Sequence, residues 1–284
     1  MTDQDRMSRR EAMGSIAAGA AAVLGLPALA CGGASSGRAG ITPGLQLYTV
    51  RAAMQDSVES TLARVASIGY KEVEFAGYFG RAPEQIAAVL KVNGLTAPAA
   101  HVSLDALGDG WAQVLDGAAA MGHTWVVVAF LTPAQRGGAD AYKRLAGVFN
   151  VAGEVARQHG ITLAYHNHDF EFQPLGDTDG HAILLSECDP GLVQFELDLY
   201  WVTKAGKDAA AYVAKYPGRF PLVHVKDMGA DGMMTEVGAG SINFQQVIDA
   251  AKSTIRHYFV EQDNAKVPFE SITTSLAALQ RLHP

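Results

Sequence analysis

Ile161-Thr-Leu-Ala-Tyr-His-Asn-His-Asp-Phe-Glu171 begins as a short apolar strand and ends in a run of imidazole, amide and carboxylate side chains. A helical stretch over 140–159 precedes it, and Gly160 stands between, where a left-handed residue ends a helix. The same unit recurs outward in both directions. Strand-like segments fall at 44–50, 71–76, 97–102, 124–130, 161–166, 193–199, 221–226 and 257–261. Helical segments fall at 57–68, 83–92, 111–121, 140–159, 181–188, 208–215, 243–251 and 270–282. Gly69, Gly94 and Gly122 repeat the helix-ending role of Gly160.

Strands alternating with longer helices mark a parallel β/α architecture. Eight such units favour a closed (β/α)8 TIM barrel, here one catalytic domain over 44–284, rather than an open doubly wound sheet. The open sheet would need Gly-x-Gly-x-x-Gly after its first strand, and none is present there; Gly238-Ala-Gly240 comes too late in the chain.

The 284 residues are 49% hydrophobic and 18% charged, which suits one globular domain of this kind. A formal net charge of −7 argues against nucleic acid as a partner. Residues 1–31 read as an export signal. Ser8-Arg9-Arg10 precedes an uncharged run over 13–30, and small residues lead up to Cys31. The paired arginines resemble the twin-arginine motif, and Cys31 resembles a lipobox cysteine. Residues 32–43 are a tether of mostly small residues. The expectation is a periplasmic protein or one held to the membrane by a lipid at Cys31. A homo-oligomer is compatible with the sequence, and Cys31 and Cys188 give no disulfide framework.

Active sites of such barrels lie at the C-terminal strand ends, and unusual polar residues collect there. Gln46 and Tyr48 end the first strand, Glu74 the second and His101 the third. By the period-two rule His224 and Lys226 share a face, as do Glu196 and Asp198, and Glu261 and Asp263. Parallel strands are normally apolar on both faces. Burying these groups is costly unless a cation or hydrogen bonds compensate. Carboxylates and imidazoles from several strands suit one divalent metal, Mn²⁺, Co²⁺, Zn²⁺ or Mg²⁺.

Gly44-Leu-Gln-Leu-Tyr-Thr-Val-Arg51, Tyr165-His-Asn-His-Asp-Phe-Glu-Phe172, His224-Val-Lys-Asp227 and Glu236-Val-Gly-Ala-Gly240 together resemble the sugar phosphate isomerase/epimerase family, the xylose isomerase-like TIM barrels. The resemblance implies a metal held by His166 or a neighbour, Asp198, His224 and Glu261. Epimerases of the family usually carry Glu on strand five. His166 stands at that position, and the His166-x-His168 pattern resembles inosose dehydratase, a lyase within the family.

Each residue also has a blander role. Asp198 suits a helix N-cap, His224 a core histidine, Glu261 a buried ion pair with Lys226, and Glu171 a loop carboxylate. His123, His159, His181, His257 and His283 read as surface or element-end residues. The expected chemistry is metal-assisted enolisation of a keto-sugar, with His168, Glu171 or Glu261 as base and Lys226 at the oxyanion. Gln46, Glu74, His101 and Trp201 are expected to line the substrate pocket, and Tyr48, Tyr78, Phe79 and Tyr200 to offer stacking faces. Reprotonation gives isomerisation or epimerisation, and loss of a β-substituent from a keto-sugar or a 3-keto-glycoside gives a lyase, either dehydrating or releasing an aglycone. Export points to an unphosphorylated substrate. A lipid-anchored sugar-binding protein would need the aromatics without the ligand set, and an abasic-site nuclease would need a basic face.

Overall fold

A computed structural model describes residues 41–283. The expected export signal over 1–31, Cys31, and 32–40 of the tether lie outside them. The tether ends earlier than expected, because Ile41 is already buried and Pro43 opens the first strand.

Eight strands, β1 (Pro43–Gln46), β2 (Glu72–Phe75), β3 (Thr96–Val102), β4 (Trp125–Val128), β5 (Thr162–His166), β6 (Val193–Asp198), β7 (Leu222–Val225) and β8 (His257–Val260), close into a barrel. Every neighbouring pair is parallel, and β1 meets both β2 and β8. The helices are α1 (Arg51–Asp56), α2 (Val58–Ile68), α3 (Pro83–Asn93), α4 (Trp111–Met121), α5 (Gly138–Gln158), α6 (Gly180–Glu187), α7 (Leu199–Lys204), α8 (Ala209–Lys215), α9 (Phe244–Ala251) and α10 (Pro268–Leu279). Among the described residues none is long and apolar enough to cross a membrane.

Two boundaries differ instructively from the sequence reading. The first strand stops at Gln46, whose side chain accepts from the Tyr48 amide at 2.9 Å and turns the chain into a 3₁₀ segment over Leu47–Val50. The sixth strand stops at Asp198, one residue before the expected end, and Asp198 caps α7, a helix over 199–204 in a stretch to which the sequence reading gave no helix. Other helices start on recognisable caps: Ser57, Asp179, Asp208 and Asn243 each accept from a backbone amide in the first turn.

The period of two sorts the strands into an outer face toward the helices and an inner face toward the barrel axis. Phe75, Val126, Tyr165, Phe195, Val223 and Val225 join the main apolar core. A separate inner layer of Ala99, Trp125, Val127, Ala164, Leu222 and Phe259 fills the barrel interior. Phe259 fits because Gly44 has no side chain: a Cβ there would stand 2.7 Å from Phe259 Cδ1.

His123, just past the end of α4, and His181, in the first turn of α6, sit at element ends as expected but not at the surface: they are 3% and 0% exposed. His123 Nδ1 lies 2.6 Å from the Ala97 carbonyl, and His181 Nδ1 lies 2.7 Å from the Tyr212 hydroxyl, with Phe172 stacked on its ring. Burial pushes His123 down to about 4 and His181 down to about 3. Both are therefore neutral when folded, while the unfolded chain takes up their protons near pH 6.5. Their contribution to stability is complete above that pH and is lost as the pH falls toward the folded values. Replacing His181 by Phe should reduce the acid-side fall in unfolding free energy between pH 6.5 and 5 by about 1.4 kcal/mol per pH unit. Urea unfolding at a series of pH values checks this, and an unchanged slope would show that His181 is charged inside the fold.

Candidate active site

The parallel register carries the polar strand ends to one level above the apolar layer. His166 lies opposite Glu196, and Asp198 opposite His224. His166, Asp198, His224 and Glu261 converge, each offering a ligand atom within 4.8 Å of the others. His166 Nδ1 lies 3.2 Å from the Ala129 carbonyl, and its Nε2 lies 3.3 Å from Asp198 Oδ2. The two oxygens of Asp198 divide two roles. Oδ1 accepts from the Trp201 amide at 3.0 Å as the N-cap of α7, and Oδ2 turns into the cluster.

His224 stands at the centre. Its Nε2 lies 2.7 Å from Glu74 Oε2 and 3.0 Å from Glu196 Oε2. Its Nδ1 lies 2.7 Å from Glu261 Oε2 but is out of line for a hydrogen bond. Glu74, His101, Glu196 and His224 form a second group with ligand-like spacing. A neutral imidazole has one N–H and one lone pair, so His224 serves a cation in only one of the two groups. Burial would lower the His224 imidazole, but Glu196 and Glu261 hold it well above the usual range, so it is protonated on both nitrogens; Glu74 and Glu196 hold the proton on Nε2, and a cation beside Asp198 and Glu261 would take the place of the one on Nδ1.

Gln46 and Glu74, expected in the substrate pocket, lie behind this cluster instead. Both are fully buried, and Gln46 Nε2 donates to Glu74 Oε2 at 2.8 Å. Their strand-end position was legible in the sequence, but their depth below His224 was not. Glu196, whose face the period of two identified, is the partner that the sequence reading left without a role. His101 reaches both sets: its Nε2 lies 2.7 Å from Glu196 Oε2, and its side chain lines the cavity above.

Charge in this pocket is settled by mutual contacts. Burial pushes Glu74 up, and the neighbouring Glu196 carboxylate adds to that. Burial alone would also raise Glu196 and Asp198, but His224 and His101 hold the first down, and Lys226 with His166 holds the second at about 2. Lys226 is buried, which would lower it, yet it lies 2.7 Å from Glu261, 3.1 Å from Asp198 and 3.0 Å from Asp263, and these carboxylates keep it charged. The ion pair between Glu261 and Lys226 is therefore present alongside the clustering of Glu261 with the imidazoles.

A cavity of about 640 Å³ opens above, lined by Tyr48, His101, Phe130, His168, Lys226 and Asp263 among others. Burial, then His166 and Lys226, push His168 down to about 2, while burial and Glu261 push Asp263 up to about 6. Glu171 is not brought to this cavity. It is fully buried, bonded to the Tyr165 hydroxyl, and accepts from the His168 amide at 2.8 Å, so it positions the loop that carries His168. Because Tyr165 faces the helices, its partner Glu171 is drawn to the outer side of β5. Trp201 packs 5.2 Å from His168. Of the other aromatics, Tyr200 is buried and bonded to the Gly232 carbonyl, and Tyr78 stacks on His123.

The Glu236–Gly240 loop is held by Asp227. Its carboxylate accepts from the amides of Met228 (2.8 Å), Gly238 (2.9 Å), Gly240 (3.0 Å) and Ile242 (3.1 Å). Gly240 is needed for this approach, since a Cβ there would stand 2.3 Å from Asp227 Oδ1.

The chain belongs to the xylose isomerase-like TIM barrel family, whose model matches residues 62–272. It is 31% identical over 140 residues to an inosose dehydratase of Halalkalibacterium halodurans, covering 41% of this chain and 45% of that one. The chain thus matches less than half the length of that relative. Among solved structures it resembles a sugar phosphate isomerase/epimerase from Parabacteroides distasonis, with a TM-score of 0.75, 27% identity, and 87% of this chain and 96% of the other covered. It also shares its fold with the IOLI protein, solved with a bound zinc atom, at a TM-score of 0.66 and 14% identity, covering 84% and 96%.

Replacing Asp227 by Ala should destabilise the fold by about 3 kcal/mol or more, because four amides lose a charged acceptor. Limited proteolysis should then cut within 228–242, and an uncut, fully stable variant would show that the loop is held by other contacts.

Proposed function

We propose that the chain is a divalent-metal-dependent isomerase or epimerase of an unphosphorylated keto-sugar, acting by α-proton removal through an enediolate. The observation that carries this is the convergence of His166, Asp198, His224 and Glu261, with Nδ1 of His224 directed to that side. Two carboxylates and two imidazoles suit Mn²⁺, Co²⁺, Zn²⁺ or Mg²⁺, and the zinc-containing neighbour supports a cation of this class. Such a cation, when bound, supplies Lewis acidity toward a carbonyl oxygen. Lys226, fixed by Glu261, Asp198 and Asp263, stabilises negative charge on the substrate oxygen. Asp263 and His168 face the same cavity and handle the proton; the carboxylate, at about 6, is the stronger base, and the imidazole is held neutral. The amides of the glycine-rich loop are already taken by Asp227, which supports a substrate without phosphate. Twin-arginine export and a lipid at Cys31 belong to the same reading and rest on the sequence of residues 1–40.

The lyase reading shares the first step and differs in the second, where a β-substituent leaves. His166 in place of the family's glutamate and the likeness to an inosose dehydratase favour it. Deuterium exchange at the α-carbon across a panel of keto-sugars tests the shared step, and the ultraviolet absorbance of a conjugated enone marks elimination. Bound metal, measured by mass spectrometry, should be near stoichiometric in the wild type and lost in Asp198→Ala and His224→Ala. Exchange should then fall by about 10²-fold or more. A folded wild type that takes up no divalent metal on reconstitution would sink the mechanism. Glu74→Gln should weaken metal binding by about 10- to 100-fold in chelator competition; unchanged affinity would mean that Glu74 does not orient His224.

A further inference from the structure

At the N-terminal end of the barrel the register sets Pro43 beside Tyr258 of β8, Gly44 beside Glu72 of β2, and Glu72 beside Thr96 of β3. The Lys71 amide donates to the Pro43 carbonyl at 2.9 Å. The turns entering β7, β8, β2 and β3 therefore lie side by side around the start of β1. They carry Lys215, Lys252, Arg256, Lys71 and Lys91, all exposed, and none of these forms an ion pair among the described residues. The nearby carboxylates have partners: Glu72 Oε2 lies 2.9 Å from His257 Nδ1, and Asp249 accepts from Gln245 along α9. Exposed Glu187 and Asp189 stand farther round, at the turn into β6. On a chain of net charge −7 such a basic arc is out of keeping with the whole.

Helix ends explain only part of it. Lys91 and Lys215 lie in the last turns of α3 and α8, where a cation complements the helix dipole. Lys71 and Arg256 instead stand immediately before their strands. Lys252 ends α9 at a φ of 49°, the left-handed conformation that Gly69, Gly94 and Gly122 take at other turns of this end. A side chain costs free energy there, and the barrel supplies no partner for this one. The chain also enters the barrel on this face, because Ile41 and Thr42 lead directly into β1 beside Lys71. The candidate active site lies at the opposite end.

We propose that this basic face docks on the anionic headgroups of a lipid bilayer, with the cavity above His224 opening away from it. Lysines and arginines within a Debye length of such a surface are drawn to it, and here they surround the point where residues 1–40 join the barrel. The face is built by described residues alone. It extends the reading of Cys31 as a lipid site and is independent of the sugar chemistry.

Co-sedimentation of the full chain tests this, with phosphatidylcholine vesicles against vesicles of equal parts phosphatidylcholine and phosphatidylglycerol. The ratio of the two affinities reads the charged contact, because the apolar run over 13–30 meets the same bilayer interior in both. The wild type should favour the anionic vesicles, and salt at about 0.5 M should abolish that preference. Lys71→Gln/Lys91→Gln/Lys252→Gln/Arg256→Gln should lower it by about 25-fold or more, at about fivefold per side chain in contact. All four side chains are exposed, so the fold is not at stake. Lys143→Gln/Arg144→Gln/Lys204→Gln/Lys266→Gln removes as many exposed cations from elsewhere on the barrel and should change the preference by no more than about twofold. Equal affinity of the wild type for both vesicles, a preference that survives the first variant, or an equal loss in the second would overturn the proposal. Tighter binding to duplex DNA than to the anionic vesicles would do the same. Mass spectrometry of Cys31 reads the lipid separately, so a bare thiol with an intact anionic preference would remove the lipid and leave the docking face standing.

Discussion

The constraint on which the structure depends is the placement of ionisable groups inside a closed parallel barrel. Glu74, Glu196, Asp198, His224 and Lys226 are almost completely buried at the C-terminal end of the interior. Groups of this kind persist in a low-dielectric interior only when each is matched. His224 does most of the matching, with Glu74 and Glu196 on one nitrogen and Glu261 and Asp198 on the side of the other. The carboxylates and cations then fix one another's protonation, and the geometry of the pocket follows from that mutual dependence.

The rest of the barrel makes this tolerable. Below the polar level, Phe259 and Trp125 fill the interior beside Gly44, so the charged layer has a dry, rigid floor. Above it, the β7–α9 connection is fastened by a buried carboxylate and not left as a mobile flap. Glu171 does a similar service on β5, where it anchors the amide of His168 from the outer side of the strand. Acidic residues that look catalytic by their position thus serve as struts, and they free other groups to face the cavity.

The division of labour at Asp198 shows how economically the strand ends are used. One oxygen begins α7 and so sets the position of Trp201, which packs against His168, while the other turns to His166 and Lys226. The helix start and the centre of the site are therefore coupled through a single side chain. Cap or cluster member, the alternatives for this residue in the sequence, are two faces of one arrangement.

Strand and helix order, and hence the barrel, were determined by the sequence alone, because alternation of period two and helical amphipathicity are local signals that glycines punctuate. The same local rule put Asp198, His224, Lys226 and Glu261 on shared faces at strand ends, and the family resemblance pointed to His166. What the rule could not supply was depth along the barrel axis or the direction of a side chain beyond the last strand residue. Those depend on register between strands distant in sequence, such as β1 with β2 and β6 with β7. Only the tertiary structure could therefore put Gln46 and Glu74 behind His224, turn Glu171 outward, bury His123 and His181, and start the helix α7 at the end of the sixth strand. Composition and spacing establish which groups are present, but the closing of the barrel decides which of them meet.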